Sequence, residues 1–225
     1  MSKGKLIVIE GGDGSGKTTQ FNLLKEKLIK DGQLIEIVDF PRYGQPAAVM
    51  VEKYLNGDFG AAKDVGAYRA SIFYAMDRYD ASFDMKRWLE DGKIVLANRY
   101  ATSNMVHQAG KIKDQKERDI FLDWLDELEF NIFAIPRPDV VFFMNVSAEI
   151  SQNLALSKDG RHDNLKSKND IHENDLNHLR DALEAGQYVA KKYNWEIIDC
   201  DDGTGHMRTI DSIHDEVCQK LKKYI

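Results

Sequence analysis

The sequence predicts an α/β fold in which a five-stranded parallel sheet is flanked by helices. Three observations carry this. Five short apolar runs, Leu6–Ile9, Leu34–Val38, Ile94–Ala97, Val140–Val146 and Trp195–Ile198, alternate with longer helical patterns. Strands separated by helices form parallel sheets covered on both faces. Turn signals fall where this scheme needs them, at Asp31-Gly32, Asp91-Gly92 and Asp202-Gly203. A glycine-rich loop joins the first run to the first helical pattern, so strand, loop and helix agree. With 225 residues, 43% hydrophobic and 30% charged, the chain reads as a single domain over residues 1–225.

The first strand is Lys5-Leu6-Ile7-Val8-Ile9-Glu10, and the helix after it runs on through Thr19, Phe21, Leu23, Leu24 and Leu28. Between them stand Gly11, Gly12, Asp13, Gly14, Ser15, Gly16, Lys17 and Thr18, which match the spacing of a phosphate-binding loop. Glycines let backbone N–H groups turn inward around an anion, and the helix N-terminus adds partial positive charge. Lys17 can reach the β- and γ-phosphates of a nucleoside triphosphate, and the Thr18 hydroxyl can ligate Mg²⁺. The loop implies ATP-type binding and leaves open what is done with the nucleotide.

Charge and composition narrow the classes. A formal net charge of -6 argues against a chain that coats nucleic acid, so any anionic substrate is to be held by a local arginine cluster. The two cysteines, Cys200 and Cys218, have no Cys-x-x-Cys spacing and read as two buried thiols rather than a metal site or disulfide framework. The N-terminus enters a strand without a signal-peptide pattern, and no apolar run reaches membrane-spanning length. No membrane partner and a cytoplasmic location are therefore expected.

In such sheets, ligands gather beyond the carboxyl ends of the strands. After the second strand comes Asp39-Phe40-Pro41-Arg42-Tyr43-Gly44. Pro41 stops helix formation there, leaving Arg42 and Tyr43 where ligands bind, or in a plain surface turn. The helical stretch Tyr68–Trp88 puts Tyr74 and Arg78 four residues apart on one face. A ring and a guanidinium so placed can stack on a base and bond its edge; core packing of the ring with a salt-bridged arginine is the alternative. After the third strand comes Asn98-Arg99-Tyr100-Ala101-Thr102-Ser103-Asn104-Met105-Val106-His107-Gln108. Arg99 suits bidentate phosphate binding, while Ser103, Asn104 and Gln108 carry groups of the kind that read a base edge. The stretch 157–169, almost wholly polar with one Leu, is either a solvated loop or a lid. No Ser/His/Asp or Cys/His nucleophile constellation stands out, and phosphoryl transfer needs none.

Together these segments resemble the thymidylate kinases (dTMP kinases), in the nucleoside-monophosphate kinase group of P-loop kinases. The resemblance covers nearly the whole chain and rests on the loop with Asp13, Phe40-Pro41-Arg42, Tyr74 with Arg78, Arg99-Tyr100 with Ser103-Asn104, and Asp170-x-His172-Glu173. It implies a nucleoside-monophosphate-kinase-like fold with a short lid at about 157–169. It implies ATP + dTMP giving ADP + dTDP, a step toward dTTP, with Mg²⁺, in a homodimer packed through helices. Asp13 would contact the acceptor 3′-hydroxyl, Arg99 and Arg42 its phosphate, and Tyr74 the face of thymine. Arg78 would reach the carbonyl at ring position 4 and Asn104 the N3 edge. His107 stands where the family often has a tyrosine. Since Gly14 replaces the loop arginine of one family style, Arg161, with Lys158 second, would supply transition-state charge beside Lys17. Two departures stand out: Asn98 for the family aspartate before the arginine, and one missing lid arginine. Two other readings are carried: a kinase for another (deoxy)nucleoside monophosphate, and a non-catalytic P-loop binding module. The latter would leave Tyr74, Arg78 and Arg99 unexplained.

Overall fold

The structure, a computed structural model, describes residues 3–158 and 176–225. Its core is a parallel sheet of β1 (Lys5–Gly11), β2 (Ile35–Asp39), β3 (Ile94–Asn98), β4 (Val140–Asn145) and β5 (Glu196–Asp199), in the order β2-β3-β1-β4-β5. The expected runs lie within one or two residues of these strands. At the carboxyl ends of β1, β2, β3 and β5, pairing carries the strand past its apolar run into residues that hydropathy does not mark.

Around the sheet lie α1 (Lys17–Lys30), α2 (Val49–Leu55), α3 (Ala62–Glu90), α4 (Ala101–Ser103), α5 (Gln115–Asp126), α6 (Ala148–Lys158), α7 (Leu176–Lys192) and α8 (Ile210–Leu221). Alternation along the strands sends side chains to opposite faces. Ile7, Ile9, Leu96, Phe142 and Ile198 pack with Leu24 and Leu28 of α1 and Val217 of α8. Leu6, Val8, Val95, Ala97 and Val141 pack with Ala81 and Met85 of α3. Helices on both faces explain why β1 and β4 are apolar without interruption over most of their length.

α3 begins before the expected Tyr68 and is broken at Gly66, whose φ of 77° a side chain would resist. Cys200 is buried, but Cys218 is only half-buried: it sits on the flank of α8, so the reading of two buried thiols holds for the first alone. Among the described residues no helix is long and apolar enough to cross a membrane.

The chain runs from β1 outward to β2 and back to β3, then crosses β1 to reach β4 and β5. Strand order therefore reverses around β1, and its carboxyl end is the switch point where ligands bind in sheets of this kind. The glycine-rich loop leaves β1 at that point.

Candidate active site

The loop's geometry follows from its glycines. Gly14 and Gly16 have φ of 77° and 83°, conformations that suit glycine. At Gly11 a Cβ would stand 2.9 Å from the Met144 carbonyl oxygen, so β4 closes against the loop only because a hydrogen stands there. Gly16 precedes α1 and supplies no side-chain cap, and no acid occupies the first turn. The helix N-terminus is thus left to an external anion. Lys17 Nζ donates to the Gly12 carbonyl at 2.6 Å and lies 3.8 Å from Asp13 Oδ1, so its amine is folded over the loop. Ser151 of α6 donates its hydroxyl to the Asp13 carbonyl, fixing the loop from the β4 side. Thr18 is exposed and Thr19 half-buried. Ser15 Oγ is buried without a partner among the described residues; in a loop of this shape such a donor calls for a ligand or ordered water.

Beneath the loop stands Glu10, wholly buried. Its carboxylate accepts Gly11 N at 2.9 Å and the hydroxyls of Thr102 and Ser103, each at 2.7 Å. It thereby ties the start of the loop to the segment after β3. Ser103, expected at the base edge, instead spends its hydroxyl on this carboxylate.

Arg99 follows β3 with φ of 63°. A side chain held in this region costs energy, and such positions gather at functional sites. The twist turns the guanidinium toward the loop: Nη2 donates to Asp13 Oδ1 at 2.6 Å, Nη1 meets His107 Nε2 at 2.9 Å, and Glu10 Oε1 lies 3.6 Å away. Burial disfavours its charge, but Asp13 and Glu10 more than compensate, so its pKa stands above the usual arginine value. A second fixed cation thus sits beside the phosphate loop.

Arg42 is the third. Asp77 of α3 accepts its Nε and its backbone N–H, both at 2.8 Å, and Nη2 donates to the Asp77 carbonyl and to Asp80. This clamp leaves Nη1 for a ligand. Phe40, expected near the acceptor, is buried against Tyr100 with ring centroids 5.8 Å apart; the ring packs into the core under the site. Tyr43 is exposed. Tyr74 is half-buried, edge-on to Tyr54 at 6.2 Å. Gln108 is buried, and its Oε1 accepts Lys111 Nζ at 2.7 Å; burial lowers the pKa of Lys111 to about 8.

Both explanations offered for the Tyr74–Arg78 pair have a counterpart here. Arg78 is 1% exposed and salt-bridged to the wholly buried Glu129, as core packing predicts. Asn104 Nδ2 donates to the Ser71 carbonyl at 3.1 Å and reaches Glu129 Oε1 at 3.4 Å, so the two residues expected to read a base meet at one carboxylate.

Asn98, the departure from the family pattern, is paired across the sheet with Asp39 and donates Nδ2 to its Oδ1 at 2.9 Å. An aspartate at this position would set two carboxylates against each other, so the amide suits its neighbour. Its Oδ1 is buried without a partner among the described residues. Thr18, at the start of α1, and Asp39 and Asn98, at the ends of β2 and β3, each carry an oxygen of the kind a hard divalent cation takes. The stretch 157–169 ends α6 at its first two residues; the rest, with Arg161, Asp170, His172 and Glu173, lies outside the described residues.

Sequence reasoning missed Glu10, Asp77, Glu129 and Ser151 as site-builders. Glu10 carried a signal, as the acid closing an apolar strand. Glu129 carried none among the acids of Asp123–Glu129.

Comparison with known proteins gives the chain a family. The family model described as thymidylate kinase matches residues 9–207. The chain is 30% identical over 147 residues to the thymidylate kinase of Mycobacterium tuberculosis, covering 65% of this chain and 68% of that one. It is 24% identical to the thymidylate kinase of Plasmodium falciparum, over 98% and 91% of the two chains. A solved thymidylate kinase from Candida albicans superposes with a TM-score of 0.72 at 19% identity, covering 99% of this chain and 93% of that one. This last likeness speaks for the fold.

Proposed function

Because the chain belongs to the thymidylate kinase family, we propose that this site moves the γ-phosphoryl group of ATP to dTMP, giving ADP and dTDP. The observation that carries the reading is Arg99, held at φ 63° within 2.6 Å of Asp13 in the phosphate loop. A loop that only bound ATP would need no second, strained cation beside it. Two anion sites meeting at one point are what transfer between two phosphorylated molecules requires, because positioning and charge neutralisation supply most of the catalysis.

Gly11 to Thr19 hold ATP through backbone N–H groups, the α1 N-terminus and Lys17. Arg99 and Arg42 hold the acceptor phosphate, each oriented by carboxylates that leave part of its fork for the ligand. Asp13, tethered by Arg99 and Ser151, faces the acceptor sugar with His107. Tyr74 offers its ring to the base. Thr18 would hold Mg²⁺, with Asp39 and Asn98 as further oxygen donors; the ion would neutralise charge on the β- and γ-phosphates. Arg161 in a lid at 157–169 is proposed on sequence alone to supply further transition-state charge. The decisive assay is ADP release from ATP with each nucleoside monophosphate in turn. ADP formation that dTMP does not stimulate would refute the reading.

Arg99→Ala should raise KM for dTMP roughly tenfold or more, with KM for ATP little changed. Steady-state kinetics with each substrate varied checks this; equal increases would remove Arg99 from the acceptor clamp.

We also propose a cytoplasmic homodimer packed through α3. Tyr68, Ile72, Met76, Tyr79 and Phe83 recur at helical spacing and are each 38–58% exposed, forming an apolar stripe of the sort that marks a protein interface. Met76→Glu with Phe83→Glu should shift sedimentation equilibrium from dimer to monomer at micromolar concentration. A wild-type monomer, or a dimer untouched by both charges, would refute the interface.

A further inference from the structure

The base-reading side of the acceptor site is built around a carboxylate that touches no expected ligand. Glu129 is wholly buried, with Arg78 at 1% and Asn104 at 2% exposure around it. Arg78 donates Nε to both carboxylate oxygens, at 3.2 and 3.1 Å, and Nη2 to Oε1. Asn104 places its amide nitrogen between Glu129 Oε1 and the Ser71 carbonyl. Two acceptors facing one amide group fix which end is nitrogen. Asn104 therefore presents Oδ1, an acceptor, in the remaining direction. Arg78, with Nε and Nη2 committed, has Nη1 remaining as a donor, and among the described residues neither atom has a hydrogen-bond partner.

Backbone geometry supports a built arrangement. Asn104 lies in a π-helical segment, Asn104–Gln108, and Glu129 in another, Glu127–Ile132. These are the two π-helical segments among the described residues. Such turns are rare and frequently mark functional sites, and here one delivers Glu129 to Arg78 while the other delivers Asn104 to Glu129. Ser71, Tyr74 and Arg78 follow at spacings of three and four along α3, so the carbonyl that helps orient Asn104 comes from the face bearing the stacking ring.

We propose that Glu129 is a positioning residue for base selection. It holds Arg78 as a donor and Asn104 as an acceptor, so the site takes pyrimidine nucleotides with a carbonyl at ring position 4 and an N–H at position 3. A 4-amino pyrimidine presents the reverse pattern: a donor toward Arg78 and a lone pair toward Asn104 Oδ1. Both contacts become unfavourable together, and buried polar groups left unpaired reject a ligand far more strongly than a missing apolar contact does. The inference rests on the acceptor reading above. It concerns ring positions 3 and 4 alone, so it gives Glu129 no part in distinguishing a 5-methyl group from hydrogen.

The test uses kcat/KM for dTMP, dUMP and dCMP in the full-length protein and in Glu129→Gln. A glutamine gives Arg78 and Asn104 one acceptor where they had two, and it carries no charge, so Asn104 is free to reverse. The dTMP-to-dCMP ratio should fall about tenfold or more, chiefly through KM, while the dTMP-to-dUMP ratio changes less than about threefold. An unchanged dTMP-to-dCMP ratio, or an equal fall in both ratios, would overturn the proposal and return Glu129 to a purely structural role. Should Glu129→Gln fail to fold, the unaltered protein still decides. Both Asn104 side-chain N–H protons should exchange slowly in ¹⁵N spectra and stay protected when dTMP binds; exchange at the rate of a free amide would overturn the proposal. If the unaltered protein phosphorylates no pyrimidine monophosphate, the acceptor reading itself falls. If it phosphorylates dTMP with a selectivity indifferent to Glu129, only this inference does.

Discussion

Lys17→Ala should lower kcat about a hundredfold or more, a loss of about 3 kcal/mol of transition-state stabilisation, while leaving the protein folded. Lys17 opens α1, and its amine is already drawn over the loop, 2.6 Å from the Gly12 carbonyl. The same atom is in place to meet charge developing between the two phosphates, with no rearrangement of the backbone. Alanine removes that point charge and one hydrogen bond to a carbonyl, worth about 1 kcal/mol to stability. Helix α1 would persist, since alanine favours helix and Phe21, Leu24 and Leu28 still anchor it to the sheet. A coupled assay beside a thermal melt separates the two effects. Near-normal transfer by a folded variant would show that the loop lysine is not part of the catalytic charge.

The fold was legible because its signals are local. Apolar runs of four to seven residues, three Asp-Gly turns and one loop motif were enough to give a five-stranded parallel sheet, since buried parallel strands leave uninterrupted hydropathy; the order of the strands came from the structure. Strand ends were less legible, because Asp39, Asn98 and Asp199 join the ladder as polar residues. In the candidate site, the residues that sequence singles out next to strand ends or glycines are Lys17, Arg42 and Arg99. It does not single out their supports. Asp77 and Glu129 act across 35 and 51 residues of sequence, and no spacing rule reaches that far. Phe40 and Ser103 show the converse error. Both sit in segments that carry ligand-facing residues, yet one ring fills the core and one hydroxyl answers a buried carboxylate. Neighbourhood in sequence locates a site; the direction of each side chain is settled by packing.

Glu10→Ala should cost about 3–5 kcal/mol of stability, the range for removing one partner from a buried charged cluster. Three donors depend on this carboxylate: the Gly11 amide and the hydroxyls of Thr102 and Ser103. Arg99, 3.6 Å from it, would keep Asp13 as its one ion-pair partner among the described residues. For a domain of this size each kcal/mol lowers Tm by about 2–4 °C, so a fall of roughly 6–20 °C is expected. Glu10→Gln separates hydrogen bonding from charge. Its carbonyl oxygen can take the place facing Gly11 and Arg99, while its amide donates to Thr102 and Ser103, whose hydroxyls rotate to accept. The Gly11 amide then keeps its acceptor and the two hydroxyls stay hydrogen-bonded as acceptors, at the cost of the carboxylate their protons had, and the loss should shrink to about 1–2 kcal/mol. Thermal melts of the two variants decide between the terms. If glutamine destabilises as much as alanine does, the negative charge beside Arg99 is what the loop requires. If neither variant lowers Tm, the link between the phosphate loop and the Arg99 segment does not run through Glu10, and Ser151 with the Asp13–Arg99 ion pair must hold the two together.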